Sequence, residues 1–289
     1  MAEAAYDRDL GPLGGPVLVC GGTYGNLEAT QALLAEAKRL GIPPARIVHT
    51  GDIVAYCADP QATVDLVRES GMAVVMGNCE ESLGAGASDC GCGFAEGSRC
   101  DVNAARWFEF CARRLDDDAK RWMVGLPRRV DFDLGGLRLA AVHGAPSRIN
   151  RFVFASTPDA ELAEEFDGLS ADGIVSGHSG IPFARRIGGR LWVNAGALGM
   201  PANDGTPRVW YALLVPTGTS LKADIRPLAY DFVRAAAKMR EAKLPAGYAE
   251  ALQTGLWDSC EILSPTEMSQ RGKSLRPSRI ELPILRRAA

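Results

Sequence analysis

The chain of 289 residues has 47% hydrophobic and 23% charged residues, a composition that is typical of folded domains and excludes wholesale disorder. Its net charge of -3 argues against a nucleic-acid-binding protein, because such affinity needs clustered cations. No apolar stretch reaches the roughly 20 residues that span a bilayer, and the acidic N-terminus does not resemble a signal peptide. We therefore expect a cytoplasmic protein with no membrane partner.

The first half of the sequence repeats a unit of apolar strand, polar loop and helix. The repeats predict three strands and two helices, at residues 17–20, 46–49 and 73–76 and at residues 27–40 and 61–70. Each strand runs into a loop that contains glycine. This alternation is typical of an α/β fold with parallel strands.

The second half is predicted to be richer in hairpins. We expect a helix over residues 101–122, strands at residues 129–134, 137–142, 173–176, 183–187, 190–193, 208–215 and 221–228, and helices at residues 235–242 and 248–256. One domain would cover residues 15–258, after an N-terminal extension of residues 1–14. Residues 259–289 become rich in Arg, Ser and Pro from about Ser264, which predicts a mobile tail.

Four residues on the loops are good ligands for a divalent metal: Asp52, Asn78, His143 and His178. Each lies beside a glycine at the end of a predicted strand, where the loops of layered α/β proteins converge. A carboxylate, an amide oxygen and two imidazoles suit a transition metal better than Ca²⁺ or Mg²⁺. Alternatively, the four are separate capping or hydrogen-bonding residues. The remaining histidine, His49, lies within a strand, and we expect it to be structural.

The same loops carry ordered motifs that resemble a known family. The motifs are Thr23-Tyr-Gly-Asn-Leu-Glu-Ala29, Gly51-Asp-Ile-Val-Ala-Tyr-Cys-Ala-Asp-Pro60, Gly77-Asn-Cys-Glu80, Val142-His-Gly-Ala-Pro146, Gly177-His-Ser-Gly-Ile-Pro182 and Asn194-Ala-Gly-Ala-Leu-Gly-Met-Pro201. They resemble those of the calcineurin-like metallophosphoesterases, most closely the small bacterial branch of phosphodiesterases and diadenosine-tetraphosphatase-like proteins. The resemblance covers roughly residues 15–255.

The resemblance implies a fold and a chemistry. The fold is a four-layer αββα sandwich with mixed sheets, and two metals at the strand ends hydrolyse phosphate esters through a metal-bound water or hydroxide. In the family, the positions of Asp52, Asn78, His143 and His178 form the complete ligand set of the second metal. The resemblance makes the first three of these residues catalytic as well.

The motifs of the first metal depart from the family. Where relatives read Asp-x-His, this chain has Gly22-Thr-Tyr24, and where they read Gly-His-x-His it has Gly177-His-Ser-Gly180. Three ligands of one metal are therefore missing, whereas the other set is whole. We predict one divalent transition metal, Mn, Fe, Zn or Ni, with the second site lost or rebuilt differently.

Four further residues are candidates for contact with the substrate: Tyr24, Asn26, Cys79 and Arg148. Arginine suits phosphate because its planar guanidinium donates two parallel hydrogen bonds. Cys79 takes the place of a histidine that protonates the leaving group in many relatives, although a neutral thiol is a poor general acid. The alternatives are that Cys79 simply packs in the core and that the others are solvated loop residues.

Eight cysteines are scattered along the chain, and we expect them to be reduced because they do not form the dense framework of a small secreted domain. Cys90, Cys92 and Cys100 are candidate extra thiol ligands for zinc or iron. Their spacing is not a standard zinc pattern, so ordinary or buried thiols are the alternative.

The leading hypothesis is a metal-dependent phosphoesterase with an altered, single-metal centre that acts on a small phosphate ester, phosphodiester or nucleotide. The rival is an inactive metal- or nucleotide-binding regulator of the same fold, because the three missing ligands remove the two-metal clamp. A third hypothesis is redox or thiol chemistry at a centre rebuilt with cysteines. The protein could also form a homo-oligomer.

Overall fold

Two six-stranded mixed sheets pack face to face in this computed structural model, which describes residues 7–284. The first sheet contains, in spatial order, β1 (Arg8–Pro12), β5 (Arg129–Leu134), β6 (Leu137–Val142), β7 (Gly173–Ser176), β9 (Arg190–Asn194) and β8 (Phe183–Ile187). The second contains β12 (Ser278–Pro283), β11 (Ser220–Leu228), β10 (Val209–Pro216), β2 (Val17–Cys20), β3 (Ile47–His49) and β4 (Ala73–Val74).

Helices cover the outer faces of both sheets. They are α1 (Leu27–Arg39), α2 (Pro60–Ser70), α3 (Asn78–Gly84), α4 (Arg99–Arg114), α5 (Asp117–Val124), α6 (Asp159–Glu164), α7 (Phe232–Glu241), α8 (Ala246–Thr254) and α9 (Pro265–Met268), with a 3₁₀ turn at Pro44–Arg46. Most of them pack on the second sheet, whereas α6 packs on the first. The layers are therefore helix, sheet, sheet, helix, which confirms the predicted α/β sandwich.

The strand β2 shows why the sequence forms these layers. All four of its residues are buried, with Val17 and Val19 in the core between the sheets and Leu18 and Cys20 in the core under the helices. Side chains of a strand alternate between its two faces, and a strand that is covered on both faces reads as a continuous apolar run.

Parallel strands in both sheets bring the predicted loops together. In the second sheet β2, β3 and β4 are parallel, and in the first sheet β6, β7 and β9 are parallel. The loops that follow their carboxyl ends meet at one edge of the sandwich. A hydrogen bond of 2.6 Å between His143 Nδ1 and the carbonyl oxygen of Thr50 joins the two sheets at this edge.

The predicted helix over residues 101–122 is wrong as a single element, because it is two helices. The backbone of Leu115 is extended, and the side chain of Asp116 accepts a hydrogen bond from the amide of Ala119. An aspartate at this position caps a new helix by accepting from one of its free N–H groups.

The prediction of a mobile tail over residues 259–289 is wrong for the part that the structure describes. Residues 278–283 form β12, which pairs with β11 in antiparallel register. Ile280 and Leu282 alternate with Arg279 and Glu281, and this period of two is hidden in a composition of Arg, Ser and Pro. Leu282 is only 3% exposed, and Arg279 donates to Asp224 at 2.9 Å. Residues 285–289 lie outside the described chain.

The described part of the expected N-terminal extension, residues 7–14, contributes a strand to the sandwich. Its residues 8–12 form β1, which pairs with β5 in parallel and closes one edge of the first sheet. Residues 1–6 lie outside the described chain. The folded unit thus begins before the predicted boundary at residue 15.

Candidate metal centre

The structure brings the four predicted ligands together at the edge where the sheets meet. The Nε2 atom of His143 lies 3.0 Å from Asn78 Oδ1, 3.0 Å from His178 Nδ1 and 3.3 Å from Asp52 Oδ2. One ligand atom from each of Asp52, His143 and His178 lies within 4.8 Å of the other two. The chain segments that supply them are far apart in sequence, so the fold alone assembles the cluster.

Hydrogen bonds outside the cluster fix the orientation of three of the four candidate ligands. His143 Nδ1 donates to the carbonyl of Thr50, which leaves the lone pair of its Nε2 facing the cluster. Asn78 Nδ2 donates to the carbonyl of Cys90 at 2.8 Å, so its Oδ1 points inward. Asp52 Oδ1 accepts from the amide of Cys79 at 3.1 Å. These outer partners present three electron-donating atoms to one point, as the outer hydrogen bonds of metal sites do.

The backbone is strained at two of the ligands. Asp52 has φ of 61° and His178 has φ of 59°, a left-handed conformation that costs a non-glycine residue about 1–3 kcal/mol. The neighbouring Gly51 has φ of 90°, and a Cβ there would lie 2.5 Å from the amide nitrogen of Gly77. The glycine allows the two ligand loops to touch, and such strain concentrates at functional sites.

The electrostatics of the cluster favour a positive charge. Burial opposes the charged form of Asp52, but the neighbouring His143 outweighs it and lowers the pKa of Asp52 to about 2. Burial also opposes a charge on His143, yet Asp52 raises the pKa of that imidazole. Burial and His143 together lower the pKa of His178 to about 3, which keeps its ring neutral. Within residues 7–284 Asp52 has no Lys or Arg partner.

These observations fit a divalent transition metal. The candidate ligand atoms are a carboxylate oxygen, an amide oxygen and two imidazole nitrogens, which is a donor set of intermediate hardness. The side chains of Asp52, Asn78 and His143 are almost fully buried, and a buried carboxylate needs a cation for compensation.

Two residues of the centre were missed by the sequence analysis. Glu80 is fully buried and accepts from the amides of Asp52 and Ile53, each at 2.7 Å, and from that of Gly77 at 2.9 Å. It ties the loop of Asp52 to the start of α3. Burial and the charge of Asp52 raise the pKa of Glu80 to about 7. The acidic residue at the end of the motif Gly77-Asn-Cys-Glu80 was the sequence feature that could have indicated this role.

The second missed residue is Phe152. Its ring stacks on the imidazole of His178 with centroids 4.3 Å apart and an interplanar angle of 30°. The contact restricts the rotation of the imidazole and covers it with an apolar surface. The sequence of the loop after β6 has no periodic pattern, so it could not predict that this ring contacts His178, 26 positions further along the chain.

His49 is structural, as expected. Its Nδ1 accepts from the amide of Gly51 at 3.0 Å, and its Nε2 lies 3.2 Å from Thr23 Oγ1. The hydroxyl of Thr23 in turn donates to the carbonyl of Ile53. The buried imidazole therefore supports the loop that carries Asp52, and burial lowers the pKa of His49 to about 3.

Aromatic rings fill the space beside the two motif positions that lack the family's first-metal ligands. A Cβ on Gly22 would lie 2.3 Å from Tyr24 Cε1, and a Cβ on Gly180 would lie 3.1 Å from Trp257 Cζ2. Tyr24 is 5% exposed, and burial raises the pKa of its phenol well above the usual value. Among the described residues, neutral aromatic rings therefore occupy the space at these positions.

The other candidate substrate residues separate into two groups. Asn26 is wrong as a substrate contact, because it is buried and caps α1, with its Oδ1 accepting from Ala29 and its Nδ2 donating to Gly199. Cys79 is 1% exposed, and burial followed by the charge of Asp52 raises the pKa of its thiol. Tyr24 lines a cavity that Asp52 and His178 also line, whereas Arg148 is exposed and lines a separate groove.

The prediction of reduced thiols is wrong for Cys90 and Cys92, which form a disulfide in the structure. Their Cα atoms are 5.3 Å apart, within the range that a disulfide spans, because Gly91 between them turns with φ of 63°. In this form neither sulfur is a thiolate ligand. Cys100 is free and half-buried, with its amide bonded to Glu261 at 3.2 Å.

The fold and the loop centre define a class of α/β sandwich proteins with a metal site at the carboxyl ends of the strands. The model of the calcineurin-like phosphoesterase superfamily domain matches residues 17–217. The chain therefore belongs to this superfamily of metal-dependent phosphoester hydrolases.

Individual proteins from other organisms are similar to most of the chain. A metallophosphoesterase structure from Sphaerobacter thermophilus is 24% identical, covers 83% of this chain and 99% of its own, and has a TM-score of 0.63. The hypothetical protein PH1004 from Pyrococcus horikoshii OT3 is 18% identical over 83% of this chain and 98% of its own, with a TM-score of 0.69. The uncharacterized protein MJ0912 from Methanocaldococcus jannaschii is 26% identical over 83% of this chain and 98% of its own.

No helix within residues 7–284 combines the length and the apolar character that crossing a membrane requires.

Proposed function

We propose that the protein hydrolyses a small phosphate ester, phosphodiester or nucleotide at a centre that holds one divalent transition metal. Asp52, Asn78, His143 and His178 would be its ligands. The observation that carries the proposal is the convergence of electron-donating atoms on one buried point, each oriented by a hydrogen bond from its other side or by a strained backbone. Superfamily membership supports phosphoester hydrolysis as the reaction.

A divalent ion at such a centre polarises a phosphoryl oxygen and lowers the pKa of a water molecule. The protein supplies the rest of the arrangement. Thr50 and Cys90 hold the side chains of His143 and Asn78 in place through their carbonyl groups. Glu80 holds the loop of Asp52 against α3. Phe152 covers His178 and limits the access of water to one side of the centre.

Arg148 is the cation that we assign to the substrate phosphate. It is exposed on the loop after His143 and lines a groove to which residue 143 also contributes. Its charge is close enough to contribute to the lowered pKa of His178, after burial and His143. Arg148→Ala should raise KM several-fold with metal content unchanged, because a phosphate contact is lost. Steady-state kinetics on the metal-loaded protein test this, and an unchanged KM would contradict the assignment.

Asp52→Asn tests the proposal directly. The substitution preserves shape but removes the charge that balances the cation, so metal content should fall from one ion per chain to near zero and turnover should be lost. Metal analysis and hydrolysis of generic phosphodiesters with Mn²⁺, Fe²⁺, Ni²⁺ and Zn²⁺ measure both quantities. Asp118→Asn, the same change on the exposed surface of α5, is the control. Retained hydrolysis in the Asp52 variant would contradict the mechanism.

The second candidate is an inactive metal- or nucleotide-binding protein of the same fold. The rings of Tyr24 and Trp257 lie beside Gly22 and Gly180. They favour this candidate because they occupy the space of a second metal, and a single metal would have to stabilise both the attacking and the leaving oxygen. The same measurements on the wild type, together with a titration of nucleotide binding, separate the candidates. One bound ion and tight nucleotide binding without turnover of any tested substrate would establish the inactive protein.

A further inference from the structure

A cavity of about 90 Å³ opens beside the candidate metal centre. Asp52 and His178 form part of its wall, so a molecule in the cavity would touch the centre. Six aromatic rings contribute to the rest of the wall: those of Tyr24, Tyr56, Phe94, Phe152, Tyr248 and Trp257. We call this space the ring cavity. Neither the family description nor the candidate ligand set assigns a ligand to it.

Contacts between the rings hold the cavity open in one shape. Tyr56 packs at 4.9 Å from Tyr24 and at 4.7 Å from Tyr248, measured between ring centroids. The indole N–H of Trp257 donates to the carbonyl of Pro201 at 2.7 Å, which fixes that ring as well. The walls are therefore largely preformed, and a ligand would lose little free energy in ordering them.

The ring cavity is large enough to hold one aromatic ring. Its volume of about 90 Å³ is several times the roughly 10–15 Å³ that one water molecule needs. Aromatic walls favour a ring over an alkyl chain, since rings pair edge-to-face or offset-stacked.

The charges in the wall of the ring cavity favour a ligand part that is itself uncharged. Asp258 is the charged lining residue outside the candidate centre, and Asn103 lies beside it. The carboxylate of Asp258 is paired with Arg99 at 2.6 Å and accepts from Asn103 at 3.4 Å. The phosphate would therefore lie at the centre, and the neutral ring would point away from it into the cavity.

We propose that the ring cavity binds a single aromatic ring of the substrate, so that the preferred substrates are phosphate esters with one aryl group. The inference deepens the proposed function and rests on it. In the reaction, water adds to phosphorus, the bond from phosphorus to one ester oxygen breaks, and the released alcohol or phenol takes up a proton. The cavity contributes binding of the ring and positions the phosphate.

A pair of non-hydrolysable probes tests the inference without relying on turnover. Phenylphosphonate and methylphosphonate share the same anionic group and differ only in the ring. Binding of each to the Mn²⁺-loaded protein is measured by calorimetry. Phenylphosphonate should bind at least tenfold more tightly than methylphosphonate.

Phe94→Ala removes one wall of the ring cavity on a loop that supports neither sheet. It should reduce the preference for phenylphosphonate at least threefold and leave the dissociation constant of methylphosphonate unchanged. Phe110→Ala is the matched control, because Phe110 is also a half-buried phenylalanine but lies outside the cavity. This control should keep the wild-type preference.

The outcomes separate the inference from the proposed function. Equal binding of the two phosphonates by the metal-loaded wild type would overturn the inference and leave the metal-dependent phosphoesterase intact. An equal loss of preference in both phenylalanine variants would also overturn it, because the effect would not come from the cavity. Failure of the wild type to take up metal would overturn the proposed function and this inference with it.

Discussion

The geometry of the candidate metal centre depends on the groups that hold its side chains from the side opposite the cluster. His143 is the central example, because its Nδ1 bonds to Thr50 while its Nε2 faces the other three ligands. A carbonyl on one ring nitrogen selects the tautomer with a free lone pair on the other. Backbone groups therefore determine the geometry of the site as much as the side chains of the sequence motifs do.

His49 gives a prediction at the same scale, through the dependence of stability on pH. Burial lowers its pKa from 6.5 to about 3 in the folded protein, so below pH 6.5 the unfolded chain binds more protons than the folded one. The stability that His49 contributes is complete above pH 6.5 and is lost as the pH falls toward 3. Between pH 7 and pH 4.5 the loss should be about 2–3 kcal/mol.

The variant His49→Asn isolates this contribution, because its side-chain oxygen can replace Nδ1 as the acceptor for Gly51 but does not titrate. Urea unfolding of the metal-free proteins at the two pH values gives the difference in the free energy of unfolding between wild type and variant. That difference should shrink by the stated amount at pH 4.5. A difference that stays constant would mean that His49 is not held neutral.

At the scale of elements, the last strand shows how a segment of polar composition becomes structural. The strand β12 covers the edge of β11, and the guanidinium of Arg279 pairs with Asp224, whose pKa is lowered first of all by that contact. A paired edge also protects the sheet from association with other chains. The C-terminal segment is thus part of the sandwich rather than an appendage.

Leu282→Ala distinguishes a docked strand from a mobile segment. Because Leu282 is 3% exposed in the core between the sheets, its truncation should lower the free energy of unfolding by about 2–4 kcal/mol. Denaturant unfolding measures the change. Val233→Ala, at a position that is 57% exposed on α7, should change it by less than about 0.5 kcal/mol. Equal, small effects would indicate that β12 does not dock.

At the scale of the whole molecule, the centre joins the two sheets. The loops of Asp52 and Asn78 follow β3 and β4 in the second sheet, whereas those of His143 and His178 follow β6 and β7 in the first. The ligands can meet only when the sandwich is assembled. Metal binding and the packing of the two sheets are therefore expected to support each other.

The sequence predicted this centre because strand ends follow a general rule. Polar residues that follow parallel strands lie at one edge of a sheet. The sequence alone therefore predicted that four residues lie close together: Asp52, Asn78, His143 and His178. The packing of Trp257 against Gly180 could not be predicted, since it joins residues 77 positions apart through side-chain shape. The same limit applies to β12, whose pairing depends on an exposed edge of β11 and not on its own weak pattern.

The most direct test of the account is diffraction from crystals of the metal-loaded protein, with data collected at the absorption edges of the candidate metals. We predict one ion, about 2.0–2.2 Å from atoms of Asp52, Asn78, His143 and His178, with the rings of Tyr24 and Trp257 beside it and no second ion. Two ions, or one ion that lies away from these four residues, would contradict the account.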